Sequence, residues 1–282
     1  CYDMPPWSSG YWHNINVQMN YWPAFNTNLA ETFEAYVEYN QAYMQYAEEL
    51  ADKLVNKHNP SMSGQDGGNG WTIGVAGNPF FFNGDRSPGN VGFTTQLFWE
   101  YYTYTKDPVV LEVVYKVLAN AARYITKSVK KDENGNYLVE YCDSPEQYVN
   151  GEWYYTKGTT YAQTLSYLNN YYTLLAAKDL GIDINDQNVL TSEEYSILNT
   201  ILNQIDKYDP INVGLSGQIK EFREEEYYGD LGDPAHRHIS QLVGLYPGNL
   251  INSSTPAWLD ASKVTLDGRS EDRDAVLEKI SS

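Results

Sequence analysis

Within Ser8–Leu29, SSGYWHNINVQMNYWPAFNTNL, the residues Trp12, His13, Asn14, Asn16, Gln18, Asn20, Tyr21 and Trp22 crowd amides and an imidazole among large rings. A purely structural helix has no use for so many polar groups beside aromatic side chains. Ring faces that cover apolar C–H surface, with amide and imidazole donors fixing hydroxyls, make a carbohydrate site. Asn14 and Asn16 stand two apart, so on a strand or loop both amides point the same way and can hold one water or one hydroxyl. The competing reading makes them caps of a helix beginning near Val17. Spacing alone leaves both open.

A second candidate is Glu146, in Asp143-Ser-Pro-Glu-Gln, a loop flanked by Tyr141, Tyr148 and Trp153. Aromatic walls disfavour a carboxylate and keep the acid form near neutral pH, the state a proton donor needs. A solvated loop glutamate is the alternative. A third candidate is His236-Arg237-His238, which follows Asp230 and Asp233. Two histidines and two carboxylates can hold a divalent ion. On a helix, however, the rings of H-x-H diverge by about 200°, and the intervening arginine repels a cation, so no metal is expected. Arg237 and His238 suit a clamp on sugar hydroxyls, with a buried Arg237–Asp233 ion pair as the structural alternative. The sequence has no G-x-S-x-G, CxxC, P-loop or dinucleotide fingerprint. Serine-hydrolase, redox and nucleotide chemistry are therefore unsupported, and no cofactor is expected.

The bulk properties agree with a neutral ligand. The 282 residues carry a net charge of −18, which repels nucleic acid and anionic membranes. Tyr 26 and Trp 7 against Met 4 and Phe 8 favour rings with a polar edge, which sit at wet sites. Cys1 and Cys142 allow at most one disulfide and no cysteine-rich metal site. No apolar run approaches the ~18 residues of a membrane span.

The elements that must position these groups are helices. Residues 28–56 read as one long amphipathic helix with Asn28 and Glu31 forming a capping box. Residues 61–92, with Trp71 and Phe80-Phe81-Phe82, read as a long loop that covers a site. Helices are expected at 93–105 and 108–129, joined by the tight turn Thr105-Lys-Asp-Pro with Pro108 in the first turn. A short strand at Tyr137–Tyr141 leads into the loop 142–158. Further helices are expected at 159–178, at 192–206 with Thr191 or Ser192 as cap, at His236–Tyr246, and at Pro256–Leu266 after Thr255. That makes about seven or eight helices in the rhythm of stacked helical hairpins. One partial α-helical catalytic domain over 1–282 is expected, with 270–282 as a polar tail.

Four blocks occur in order: Asn14-Ile-Asn-Val-Gln-Met-Asn-Tyr-Trp-Pro, Ser144-Pro-Glu, Gly217-Gln-Ile-Lys-Glu and His236-Arg-His-Ile-Ser-Gln-Leu-Val-Gly-Leu-Tyr-Pro-Gly. Together with Phe98-Trp-Glu-Tyr-Tyr-Thr-Tyr-Thr-Lys-Asp they resemble the catalytic domain of glycoside hydrolase family 95, the inverting α-L-fucosidases. The likeness runs from residue 7 to about 268. It implies an all-α fold of (α/α)6-barrel-type hairpins with long active-site loops, in this chain an incomplete barrel. By this resemblance Glu146 matches the general acid, Asn14 and Asn16 the amides that hold the attacking water, and Arg237 with His238 sugar-contacting positions. Trp12, His13 and Trp22 are carried as further substrate-binding candidates.

The resemblance implies a fucosylated oligosaccharide as partner and, by analogy of substrate, an extracellular, periplasmic or cell-surface location. This sequence departs from the pattern at three places. Trp12 stands where the family has His, a sugar-contacting position, which makes an α-L-galactosidase an alternative. Gln241 and Glu221-Phe222 replace the family's His and Glu-Trp. The D-G-N-F-G-like block that comes next in the family, with its carboxylate, is absent. The expectation is a piece lacking flanking domains, weak or inert alone, from an active parent glycosidase; a degenerate glycan-binding barrel is the non-catalytic alternative.

Overall fold

Helices dominate the computed structural model, which describes residues 10–78, 81–83, 88–186 and 192–281. The fold is all-α, built from helical hairpins with a few short strands among the described residues. The chain divides into two compact units: residues 1–129 with 166–207 form unit 1, and residues 130–165 with 208–282 form unit 2. No helix among the described residues is long and apolar enough to cross a membrane. Cys1, Trp7, Phe80 and Thr191 lie outside the described residues.

Unit 1 opens with β1 (Tyr11–Trp12), α1 (Asn16–Met19) and α2 (Trp22–Asn26). The chain then departs from the single helix expected over 28–56. Asn28 takes a left-handed φ of 59°; its N–H bonds Phe25 O at 3.2 Å, and the Leu29 N–H bonds Ala24 O at 2.7 Å. Those two bonds end α2 in a Schellman motif, so Asn28 closes one helix instead of opening the next. A 3-10 turn, Ala30–Phe33, then leads to α3 (Glu34–Ala42) and α4 (Met44–His58). The break between them falls at Tyr43, with φ −102° and ψ 3°. Its hydroxyl donates to Asn40 Oδ1, and Asn40 Nδ2 bonds back to Tyr36 O at 2.7 Å.

The segment expected as a loop over 61–92 contributes two strands, β2 (Ala76–Asn78) and β3 (Phe81–Asn83). They extend a small antiparallel sheet in the order β1-β2-β3, with Tyr11 opposite Gly77 and Trp12 opposite Ala76. Trp71, fully buried, donates its indole N–H to Val117 O at 3.2 Å.

The next two helices form the expected hairpin, α5 (Gly89–Thr105) on α6 (Pro108–Ile125). Asp107 caps α6 by accepting from Val109 N at 2.8 Å, and Pro108 fills the first turn where no donor is needed. Lys106 turns the chain with a φ of 52°. Then come α7 (Thr160–Asp179) and α8 (Ser192–Gln204); on the unit 1 side, Ala122, Ile197, Ile201 and Ile205 pack with Tyr167 and Leu174. Helix α7 is buried on most sides, so its polar residues find internal partners. Asn169 Oδ1 accepts from Thr95 Oγ1 at 2.7 Å, and Thr173 Oγ1 donates to Asn169 O at 2.8 Å. An aromatic cluster centred on Phe33 completes this unit: Tyr21, Phe25, Tyr36, Phe98 and Tyr101 ring it at 4.8–5.8 Å between centroids.

Unit 2 holds the hairpin of β4 (Val129–Lys131, its first residue counted in unit 1) and β5 (Tyr137–Val139). Gln163, in the first turns of α7, fastens this hairpin. Its Oε1 accepts from Val139 N at 2.7 Å and its Nε2 donates to Tyr137 O at 3.1 Å. A second hairpin, β6 (Tyr148–Val149) with β7 (Glu152–Trp153), comes directly after Glu146. Cys142 is buried, and burial pushes its thiol up to about 11.

The last helix, α9, runs Pro256–Ser281 and so continues through the residues expected as a tail. It packs Ala261 against Ile211, Ile219, Leu242 and Ile251. The helix expected over His236–Tyr246 is instead an irregular strap in which one 3-10 turn, Ser240–Leu242, runs into further hydrogen-bonded turns. The cause is Arg269 of α9, whose Nη1 takes the carbonyls of His236 (2.7 Å) and His238 (2.8 Å), groups a helix would have used internally.

Candidate active site

The candidate residues fall into two groups, one in each unit. In unit 1, β1 carries Trp12, and a turn over residues 13–15 delivers Asn14 and then Asn16 at the start of α1. Neither asparagine caps that helix, whose N-cap position is Ile15 with no side-chain bond. Asn14 is half-buried and Asn16 exposed, and among the described residues their amide groups take no partner. Both are thus free for a ligand or water. Trp22, at the start of α2, sits at 6.4 Å from the Phe93 ring.

His13 is placed differently from the sugar contact expected of it. It is 1% exposed, and both ring nitrogens are engaged: Nδ1 bonds Gly74 O at 3.0 Å and Nε2 meets the Tyr39 hydroxyl at 2.6 Å. The carbonyl partner fixes the proton on Nδ1, so Nε2 accepts from Tyr39. Its backbone is held as well, by N–H to Val75 O at 2.7 Å and by Gln18 Nε2 on its carbonyl at 2.6 Å. His13 therefore fastens the segment that presents Asn14 and Asn16.

Burial lowers the His13 imidazole from 6.5 to about 4, against the smaller opposing effect of Gly74 O. The native state thus stays unprotonated where the unfolded chain binds a proton. Stability from this group is complete above pH 6.5 and is lost as pH falls from 6.5 toward 4, by about 3 kcal/mol. Urea unfolding of wild type and His13→Gln across pH 4–7 checks this: the wild-type curve should fall more steeply on the acid side, and parallel curves would contradict it.

In unit 2 the structure brings Glu146, Arg237 and His238 together. Arg237 Nη2 donates to Glu146 Oε2, and His238 Nε2 lies 3.9 Å from the same oxygen. The Arg237–Asp233 pair considered from the sequence is replaced by this one. Glu146 is 28% exposed and Arg237 62% exposed, so the pair opens to solvent at a surface where a ligand can replace either partner. Burial, then the Arg237 charge, pull His238 below the ordinary histidine range; burial, His238 and Arg237 do the same to His236.

The rings expected to wall Glu146 pair among themselves, Tyr141 on Tyr155 at 4.7 Å and Tyr148 on Trp153 at 4.3 Å. Tyr141, Tyr148 and Trp153 remain exposed. Among the described residues no cluster of three His, Cys, Asp or Glu is placed to hold a metal ion. Of the carboxylates near the site, Glu225 accepts from Glu221 N at 2.7 Å and Asp230 from Tyr227 N at 2.7 Å, both holding the local turns. Glu224 accepts from Thr156 Oγ1.

Beneath Glu146 lies a buried pair that sequence reasoning missed. Glu221 Oε1 accepts from Ser144 Oγ at 2.6 Å; Oε2 accepts from Gln147 Nε2 at 3.1 Å and Arg269 Nη2 at 3.3 Å. Both side chains are 5% exposed. Burial raises the Glu221 carboxyl to about 7, beyond what Ser144 and Arg269 draw back. In the sequence Glu221 is visible only as half of a changed Glu-Trp motif. Arg269 stands just past the expected end of the last helix, with no periodicity to mark it as buried.

Residues 2–278 match the family model described as the glycosyl hydrolase family 95 catalytic domain. The chain belongs to that family. Among curated relatives, the chain is similar to "Probable alpha-fucosidase A" of Aspergillus niger, 28% identical over 94% of this chain and 32% of that protein. "Alpha-L-fucosidase 2" of Arabidopsis thaliana is 26% identical over 95% of this chain and 31% of its own length. "Probable alpha-fucosidase A" of Aspergillus oryzae is 26% identical over 88% and 24%. The chain thus spans about a third or less of the length of the curated relatives it matches. The Glu146 cluster and the Asn14–Asn16 turn both lie inside the family 95 match.

Proposed function

We propose that the protein holding this chain is an exo-acting, inverting α-L-fucosidase that removes terminal, 1,2-linked fucose from glycans outside the cytoplasm. The observation that carries the reading is the partly exposed carboxyl of Glu146, held beside a guanidinium and an imidazole. Glu146 is the general acid that protonates the departing glycosidic oxygen. Arg237 and His238 bind sugar hydroxyls; as the sugar takes over the Arg237 donors, the ion pair opens, the freed Glu146 carboxylate takes a proton from solvent, and the acid so formed gives it to the departing oxygen.

Asn14 and Asn16 are assigned to the attacking water on the order of the family motifs and on their free amides. Asparagine orients water but does not take its proton, so a carboxylate completes the step. In inverting glycosidases acid and base stand about 6.5–9.5 Å apart, leaving room for that water.

Trp12, in the place of the family's histidine, supports an α-L-galactosidase as the second reading, because the two sugars differ at C6 alone. A panel of aryl and disaccharide α-L-fucosides and α-L-galactosides separates them. The highest kcat/KM is expected for α-1,2-fucosides. A preference for L-galactosides would favour the second reading, and binding without turnover throughout would overturn both.

A further inference from the structure

The two segments that carry the Glu146 cluster share no covalent connection shorter than the chain from 147 to 236, yet one buried ion pair reaches both. Glu221 holds the side chains of Ser144 and Gln147, which bracket Glu146. Arg269 holds the carbonyls of His236 and His238, which bracket Arg237. The pair itself is joined through Oε2 and Nη2 at 3.3 Å.

Cross-ties repeat the pattern. Ser240 Oγ donates to Pro145 O at 2.5 Å, Gln147 Oε1 accepts from Asp233 N at 2.8 Å, and Arg269 Nε donates to the Tyr228 hydroxyl at 3.0 Å. Glu221 is in turn fixed through its backbone, by Glu225 Oε2 on its N–H at 2.7 Å and by Thr160 N on its carbonyl at 3.2 Å.

We infer that Glu221 and Arg269 are positioning residues whose fork-to-carboxylate contact sets the separation between Glu146 and the Arg237–His238 strap. Neither touches the exposed face where a sugar would bind; they act through the residues they hold. The inference deepens the fucosidase reading and rests on it for its kinetic arm. The planar arginine fork is essential, because three nitrogens serve four acceptors in different directions. A lysine keeps the buried charge but gathers three donors on one nitrogen, too few and too close together to serve all four acceptors.

The test uses Arg269→Lys in the full-length protein, with kcat per folded molecule, melting temperature and amide hydrogen exchange read together. Positioning predicts a folded variant with kcat lower by roughly 10²-fold, from displacement on the order of 1 Å, and KM changed far less. It also predicts faster exchange in 144–147 and 236–240, with β4–β5 unchanged. A purely structural pair predicts that Lys restores kcat per folded molecule and leaves both segments protected; that result overturns the inference. Should Arg269→Lys fail to fold, Ser144→Ala cuts one tie alone: exchange across 144–147 should rise and kcat fall, and wild-type values for both overturn it. Exchange needs no substrate, so it decides the positioning role even if the wild-type protein releases no fucose, an outcome that sinks the fucosidase reading instead.

Discussion

Glu146→Gln is expected to lower kcat/KM on a fucosylated disaccharide by roughly 10²–10⁴-fold, the contribution of a positioned proton donor. The substitution keeps the side chain's size and removes only its transferable proton and its charge. Its cost to stability is small, since the Glu146–Arg237 pair is partly solvated and such pairs contribute about 0–1 kcal/mol. The loss should depend on the leaving group. Fluoride leaves α-L-fucosyl fluoride without protonation, so the variant should retain most of its activity on that substrate. Equal losses on both substrates would mean that Glu146 binds or positions and does not protonate; no loss on either would remove it from the mechanism.

Phe33→Ala is expected to destabilise the protein by about 3–5 kcal/mol, the range for deleting a buried aromatic and leaving its cavity. Phe33 is fully buried and, among the described residues, makes ring contacts with five aromatic neighbours, of which Tyr36 is nearest at 4.8 Å. Those neighbours come from the segments on either side of the 3-10 turn and from α5, so no single rotamer change refills the space. Phe33→Leu keeps most of the volume and should cost distinctly less. Urea denaturation monitored by tryptophan fluorescence gives the comparison; a loss below about 1 kcal/mol for the alanine variant would contradict this view of the core.

The helix start at Pro108 was legible because its signal is local, a ring that fixes φ in the first turn; the structure adds Asp107 as its cap. Asn28 misled for a related reason. Asn suits the start of a helix and the left-handed residue after its end equally well, and only the carbonyls of Ala24 and Phe25 decide between them. Tyr43 breaks the expected long helix although the apolar spacing runs on past it, and its hydroxyl bonds Asn40, a contact that periodicity does not show. Glu146, Arg237 and His238 were legible as separate motifs, and the structure brings them to one place.

The ion pair beneath them was not legible, because Glu221 and Arg269 are 48 residues apart and each looks like an ordinary charged residue in its own segment. The same long-range bonds explain why 236–246 failed to become a helix. His13 stood beside the asparagines in sequence, yet its partners Gly74 and Tyr39 turn it inward.

The proposed mechanism stands on single-step displacement at the sugar carbon, assisted by the proton of Glu146. Proton NMR of the first sugar released from an α-L-fucoside, recorded before mutarotation, reads that step without intermediaries. β-L-Fucose is expected as the first-formed anomer. Appearance of α-L-fucose first would show a covalent intermediate and contradict the inverting mechanism.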